Sequence, residues 1–291
     1  MNKTISRLLT FAIGLPLVLF LLWLPYINHL SLHIVVLVLS LLAANEMYNM
    51  LSLKSELQPK GFLLTLCGIL SLISVIFSIG KTFFNWTWIQ NELITFAFII
   101  EFLLILIAEV FTSKDFEFSA SRIAQSSFLV LYTTFLFTFI SRLAFVEKDG
   151  QSIGTPLLIT VIALCCMSDS IAWFFGILLG KNNRGIFKAS PNKSIAGFIG
   201  AFIGSIATGI LCFYIWRDIY TGSIIKMILI SIFCTISSIV GDLAESVLKR
   251  STGVKDSGSI IPGRGGVLDS IDSIIMTAPL FYGLIKIFYG F

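Results

Sequence analysis

The sequence predicts an all-α, polytopic integral membrane helix bundle, and three observations carry that reading. Hydrophobic residues make up 56% of the 291 positions and charged residues only 12%, where soluble proteins average about 25% charged. The apolar residues gather into stretches of roughly 17 to 25, the length an α-helix needs to cross about 30 Å of hydrocarbon. The basic residues concentrate in alternate loops, as the positive-inside rule requires of a multi-spanning chain.

Taken in order, the apolar stretches lie near 8–27, 29–45, 61–80, 92–112, 124–145, 155–180, 195–216, 223–248 and 270–290, about nine transmembrane helices. The first follows Lys3 and Arg7 as a signal peptide would. Its apolar run is too long for one and has no small-residue cleavage pattern before Asn28, so it reads as a retained anchor. With the N-terminus cytoplasmic, the inner loops hold Lys3, Arg7, Lys54, Lys60, Lys114, Arg122 and every basic residue of 181–194 and 249–269. Lys81, Arg142, Lys148, Arg217, Lys226 and Lys286 fall outside or near that edge. Trp23, Trp86, Trp88 and Trp216 lie near expected outer ends, where the amphipathic indole prefers the headgroup layer. The organisation expected is a set of N-terminal transmembrane helices, 1–123, followed by a catalytic transmembrane region, 124–291, with cytoplasmic loops 181–194 and 249–269.

Cys67, Cys165, Cys166, Cys212 and Cys234 all sit inside apolar stretches, with no loop spacing that suggests a disulfide framework or a zinc site. Buried thiols are expected.

Against this background the run 241–273, GDLAESVLKRSTGVKDSGSIIPGRGGVLDSIDS, stands out for its five acidic and four basic residues. Asp242, Glu245, Ser246 and Lys249 follow at i, i+3, i+4 and i+7, which lines them along one helical face. A polar stripe at membrane depth must look into protein or water, because a carboxylate at mid-bilayer costs about 2.5 to 3.5 kcal/mol. Asp269 and Asp272 stand near the start of the last helix, where an acid also has the plainer role of a cap. Several carboxylates in one short stretch suit Mg²⁺, which is held by one or two carboxylates plus waters and phosphates. The neighbouring Lys249, Arg250, Lys255 and Arg264 suit the phosphates. Between them Pro262, Gly263, Gly265 and Gly266 make a turn whose N–H groups are expected to cradle an anion.

Two earlier segments carry the same signature of acid, small residues and base. In SDSIAWFFGILLGK, Asp169 shares a span with Gly176 and Gly180 and leads into Lys181. In SPNKSIAG, Ser190 and Pro191 break the chain, Lys193 is poised at the membrane surface, and Ser194 is placed to cap the following helix. Glu101 and Glu109 also fall in apolar stretches but have no motif around them; His29 and His33 lack the acidic or thiol company of a metal site.

These residues resemble the bacterial phosphatidate cytidylyltransferase family, also called CDP-diglyceride synthases. The family signature reads S-x-x-K-R-x-x-x-x-K-D, a short spacer, P-G-H-G-G, then D-R-x-D. Ser246, Lys249, Arg250, Lys255, Asp256, Pro262, Gly263, Gly265, Gly266, Asp269 and Asp272 stand at the corresponding places, with Gly241 and Asp242 matching an acidic motif just upstream. SDSIAWFFGILLGK resembles the family's D-x-x-A-Y-x-x-G-x-x-x-G-K, and SPNKSIAG its S-P-K-K-T-x-E-G. The likeness is specific over the C-terminal half and extends to the N-terminal half as a hydrophobic profile. Arg264 replaces the signature His, Ser270 the Arg between the two late aspartates, and Ala196 a usual Glu.

The resemblance implies an inner-membrane enzyme in which a phosphatidic acid oxygen attacks the α-phosphorus of CTP, giving CDP-diacylglycerol and pyrophosphate at the cytoplasmic face. It implies Mg²⁺, with room for a second cation, a homodimer in the lipid bilayer, and no nucleic-acid partner. Asp242 and Asp269 are the expected principal metal ligands, with Asp256 and Asp272 as further ligands or as residues that orient them. Lys249, Arg250, Lys255 and Arg264 would neutralise phosphates; Ser190, Lys193 and Ser246 would complete the site. Alternatives are a related CTP-dependent lipid kinase or synthase, an inactive scaffold of the same family, and a cation-coupled transporter using Asp169, Asp242 and Glu245 as an ion path. The transporter reading leaves the Gly-rich basic loop without a role.

Overall fold

In a computed structural model, Phe20, residues 24–86 and residues 90–291 are described. The chain divides into two compact units: the described residues up to Arg142 together with Ser251–Ile271, and Leu143–Arg250 together with Asp272–Phe291.

The first unit holds α1 (Leu30–Leu51), α2 (Lys60–Phe84) and α3 (Gln90–Thr112). It continues with α4 (Ser119–Val130), a π turn at Leu131–Phe135 and most of α5 (Thr138–Ala144), which together form one span. In the second unit α6 (Gly154–Leu178), α7 (Ile195–Ile215) and α8 (Ile224–Thr252) are followed by α9 (Leu268–Tyr289), whose first turn belongs to the first unit. Among the described residues eight helical segments are long and apolar enough to cross a membrane. They answer eight of the nine expected stretches; the first, 8–27, lies almost wholly outside the described residues. Lipid-facing side chains explain why so many large apolar residues, such as Phe96, Phe111, Leu179 and Ile287, remain exposed.

Boundaries moved where a polar residue found a partner. α1 runs to Leu51 rather than stopping near residue 45, because Glu46 and Asn49 are both satisfied by later residues. α8 runs to Thr252, so Lys249 and Arg250 belong to its last turn, where cations favour the helix dipole, and not to the following loop. That loop is therefore 253–267. The two-residue strands β1 (Glu147–Lys148) and β2 (Gln151–Ser152) pair across Asp149 and Gly150, both at positive φ as a tight hairpin turn demands.

In the first unit Arg122 ties one end together. It pairs with Glu109 at 2.9 Å and Glu56 at 2.5 Å, so Glu109 has the counter-charge that a buried carboxylate needs. Arg142 is 5% exposed, stacked on Phe135 and Phe139 and bonded to Thr95 Oγ1. In the second unit α6 and α7 approach closely through glycines. A Cβ at Gly200 would come 2.8 Å from the Ile171 carbonyl oxygen, and at Gly204 2.7 Å from that of Met167. The five cysteines are unbridged, and all but the half-buried Cys166 are buried, as expected.

Candidate active site

The second unit gathers the S-P-N-K loop and the polar face of α8. Ser194 caps α7 as its sequence predicts, its Oγ accepting from Gly197 N at 3.1 Å. The loop ahead of it is pinned at its ends, where Ile195 N donates to Asn183 O at 3.0 Å. Within that loop Lys193 N donates to Ser190 O at 3.2 Å, closing the S-P-N-K turn. So held, Lys193 reaches α8, and its Nζ lies 2.6 Å from Asp242 Oδ2. Arg250 Nε reaches the same loop, donating to Ala189 O at 3.5 Å.

The stripe on α8 is turned into protein: Glu245, Ser246 and Lys249 are buried, whereas Val247 and Arg250 are exposed. Lys249 forms an ion pair with Glu245 one helical turn away. Asp272, 7% exposed, accepts from Ser273 N at 2.6 Å, and Asp242, Glu245 and Asp169 lie near enough to act on its charge. Gly241 makes that proximity available. A Cβ there would sit 2.7 Å from the Asp272 carbonyl oxygen and 3.1 Å from Met276 Cβ, so only glycine lets α8 and α9 meet at this level. Asp169 and Glu245 are thus acids whose charge bears on Asp272 together with that of Asp242.

The first unit contains the Gly-rich loop. Ile261 N donates to Gly265 O at 2.8 Å while Gly265 N and Arg264 N both donate to Ile261 O, so Pro262, Gly263 and Arg264 form the tip of a tight turn. Gly263 and Gly265 take φ of 81° and 119°, a region other residues enter only at a cost. Arg264, Lys255 and Asp256 are exposed around it.

This turn does not present the expected cradle of N–H groups. Arg264 N and Gly265 N are spent on the Ile261 carbonyl, Gly266 N donates to Asp269 Oδ2 at 2.7 Å, and Val267 N and Leu268 N donate to Glu46. One reason is helix initiation: Val267 N and Leu268 N at the start of α9 need acceptors, and the Glu46 carboxylate supplies them. The cationic groups this loop leaves exposed are the side chains of Arg264 and Lys255.

Asp269, in the first turn of α9, is taken up by donors of the loop that precedes the helix. Its Oδ2 accepts from Gly266 N, from Ser257 N at 2.9 Å and from Ser257 Oγ at 3.0 Å. Glu46 and Ser257 escaped sequence reasoning. Glu46 was placed just past the end of a helix that in fact continues, and its partners lie 221 and 222 positions away.

Within either unit, among the described residues, no three His, Cys, Asp or Glu side chains converge in a way that would hold a metal by themselves. The donor set nonetheless fits Mg²⁺, a hard ion that takes one or two carboxylates and completes its shell with water and substrate phosphate. The partly exposed Asp242 and the buried Asp272 are such donors.

A sequence model of the Cytidylyltransferase family matches residues 5–288. A Thermotoga maritima protein named phosphatidate cytidylyltransferase is 31% identical over 188 residues, 64% of this chain and 67% of its own. One of that name from Staphylococcus haemolyticus is 29% identical over 96% of both chains. Another, from Synechocystis, is 37% identical over 45% of this chain and 44% of its own.

Proposed function

Because this chain belongs to the cytidylyltransferase family, we propose that it is a phosphatidate cytidylyltransferase, transferring the cytidylyl group of CTP to phosphatidic acid in a cell membrane. The observation that carries the reading is the Lys193–Asp242 pair, which joins two separate motifs on a shared carboxylate and cation group.

The reaction joins two polyanions and expels a third, so its barrier is largely electrostatic. The phosphatidate oxyanion attacks the α-phosphorus and the bond to pyrophosphate breaks; the nucleophile is already deprotonated and needs no dedicated base. Lys193, Lys249 and Arg250 of the second unit are assigned to the substrate phosphates, with Ser190 and Ser246 as hydroxyl partners. Asp242 and Asp272 are the residues of that unit assigned to Mg²⁺. In the first unit Arg264 and Lys255 are assigned to phosphate, and Asp256 and Asp269 to a second cation; Gly263, Gly265 and Gly266 shape the turn that carries them. When bound, the metal would neutralise phosphate charge and stabilise the leaving pyrophosphate.

We place the N-terminus and loops 181–194 and 249–269 on the cytoplasmic side of the inner membrane, where CTP is found and where the basic loops are favoured. A homodimer is carried over from the family resemblance, and crosslinking in native membranes tests it.

The decisive experiment supplies the purified chain in detergent with phosphatidic acid, labelled CTP and Mg²⁺. A lipid-soluble cytidine product is expected. Its absence, or equal product from Asp242→Ala, would sink the reading. A lipid kinase would transfer γ-label and leave cytidine in the aqueous phase.

A further inference from the structure

Glu46 is 3% exposed on α1, and its carboxylate is consumed by the segment that leads into α9. Oε1 accepts from Val267 N at 2.9 Å; Oε2 accepts from Leu268 N at 2.9 Å and from Ser257 Oγ at 3.1 Å. The two N–H groups are the otherwise orphaned donors of a helix start, and a carboxylate there also meets the positive end of the helix dipole. The loop is shaped around this side chain: a Cβ at Gly258 or at Gly266 would come within 2.4 Å of a Glu46 oxygen.

Ser257 connects this anchor to Asp269. Its Oγ lies 3.1 Å from Glu46 Oε2 and 3.0 Å from Asp269 Oδ2, so one hydroxyl stands within hydrogen-bond reach of both carboxylates and donates its single proton to one at a time. Its backbone N–H also donates to Asp269 Oδ2 at 2.9 Å. The rotation of the Asp269 carboxylate is therefore set in part by Ser257, which is also bonded to Glu46.

We propose that Glu46 is a positioning residue for cytidylyl transfer, holding the Gly-rich loop and the first turn of α9 so that Ser257 orients Asp269. The proposal rests on the function assigned above and on the role given there to Asp269. It separates Glu46 from an ordinary cap, which would affect folding alone.

Glu46→Gln tests it with little change of volume. Both carboxylate oxygens face backbone N–H groups, so either orientation of the amide sets an NH₂ against a donor. The variant is expected to elute and melt as a folded protein, while the Mg²⁺ concentration for half-maximal product formation rises about tenfold, as loss of residues behind a metal ligand commonly does. Hydrogen exchange at Gly266, Val267 and Leu268 should accelerate. Parental Mg²⁺ dependence with parental turnover would reduce Glu46 to a cap and overturn the proposal.

If Glu46→Gln fails to fold, Ser257→Ala removes the bridge while sparing the acceptors of Val267 and Leu268. A rise in the Mg²⁺ requirement supports the relay; an unchanged requirement overturns it. If the parent forms no cytidine lipid, the function assigned above fails. Exchange then judges the anchoring: unchanged exchange at Val267 and Leu268 in folded Glu46→Gln, or at Gly266 in Ser257→Ala, overturns it.

Discussion

Lys193 and Asp242, 49 positions apart, meet with Nζ 2.6 Å from Oδ2, and the pair joins the S-P-N-K turn to the polar face of α8. Their side chains remain 22% and 41% exposed, and a pair so exposed contributes at most about 1 kcal/mol to stability. A charge pair with little structural value at the meeting of two motifs points to work on a ligand.

Lys193→Ala should therefore leave the melting temperature in detergent nearly unchanged while lowering turnover about 100-fold, the scale of losing one aimed cation or donor. A large drop in melting temperature with turnover retained would make the pair structural.

Gly241→Ala adds one methyl group where the Asp272 carbonyl oxygen is 2.7 Å away. Overpacking of this kind costs about 1 to 3 kcal/mol, and here it also pushes Asp242 from Asp272. Thermal melting should show the destabilisation, and activity should fall further than the fraction unfolded explains.

Arg264 stands exposed at the tip of the 261–265 turn. Arg264→His should keep most of the activity and Arg264→Ala should raise KM for CTP, because the proposed function assigns the side chain, not the turn's N–H groups, to phosphate. Equal KM in all three proteins removes Arg264 from the site.

Glu101 is 3% exposed on α3, and among the described residues neither of its oxygens has a hydrogen-bond partner. A buried polar group without a partner costs about 1 to 3 kcal/mol. Glu101→Leu should raise the unfolding temperature without altering cytidylyl transfer; a lower unfolding temperature would reveal a partner in the folded membrane state.

Chelation with EDTA should abolish product formation, and Mg²⁺ should restore it, because the carboxylates assigned to the metal otherwise face polyanionic substrate unneutralised. Full activity in excess chelator would contradict the metal assignment.

Helix positions were legible because hydrocarbon thickness sets a length and apolar runs display it directly. The Asp242, Glu245, Ser246 and Lys249 stripe was legible for a related reason, helical periodicity, and Ser194 as a cap for its place before an apolar run. Helix ends were less so. Glu46 and Lys249 look like stops in a hydropathy reading, yet each lies inside a helix because a partner satisfies it.

The sequence by itself determined the membrane bundle and the set of acids and cations, since both are written in local composition and fixed spacing. Tertiary structure alone decided that Asp169 acts on the charge of Asp272, and that the N–H groups of Arg264, Gly265 and Gly266 in the Gly-rich turn are already taken. It alone decided that Glu46 holds the start of α9. Those outcomes depend on which donor finds which acceptor across as many as 222 positions, and no spacing rule in the chain encodes that choice.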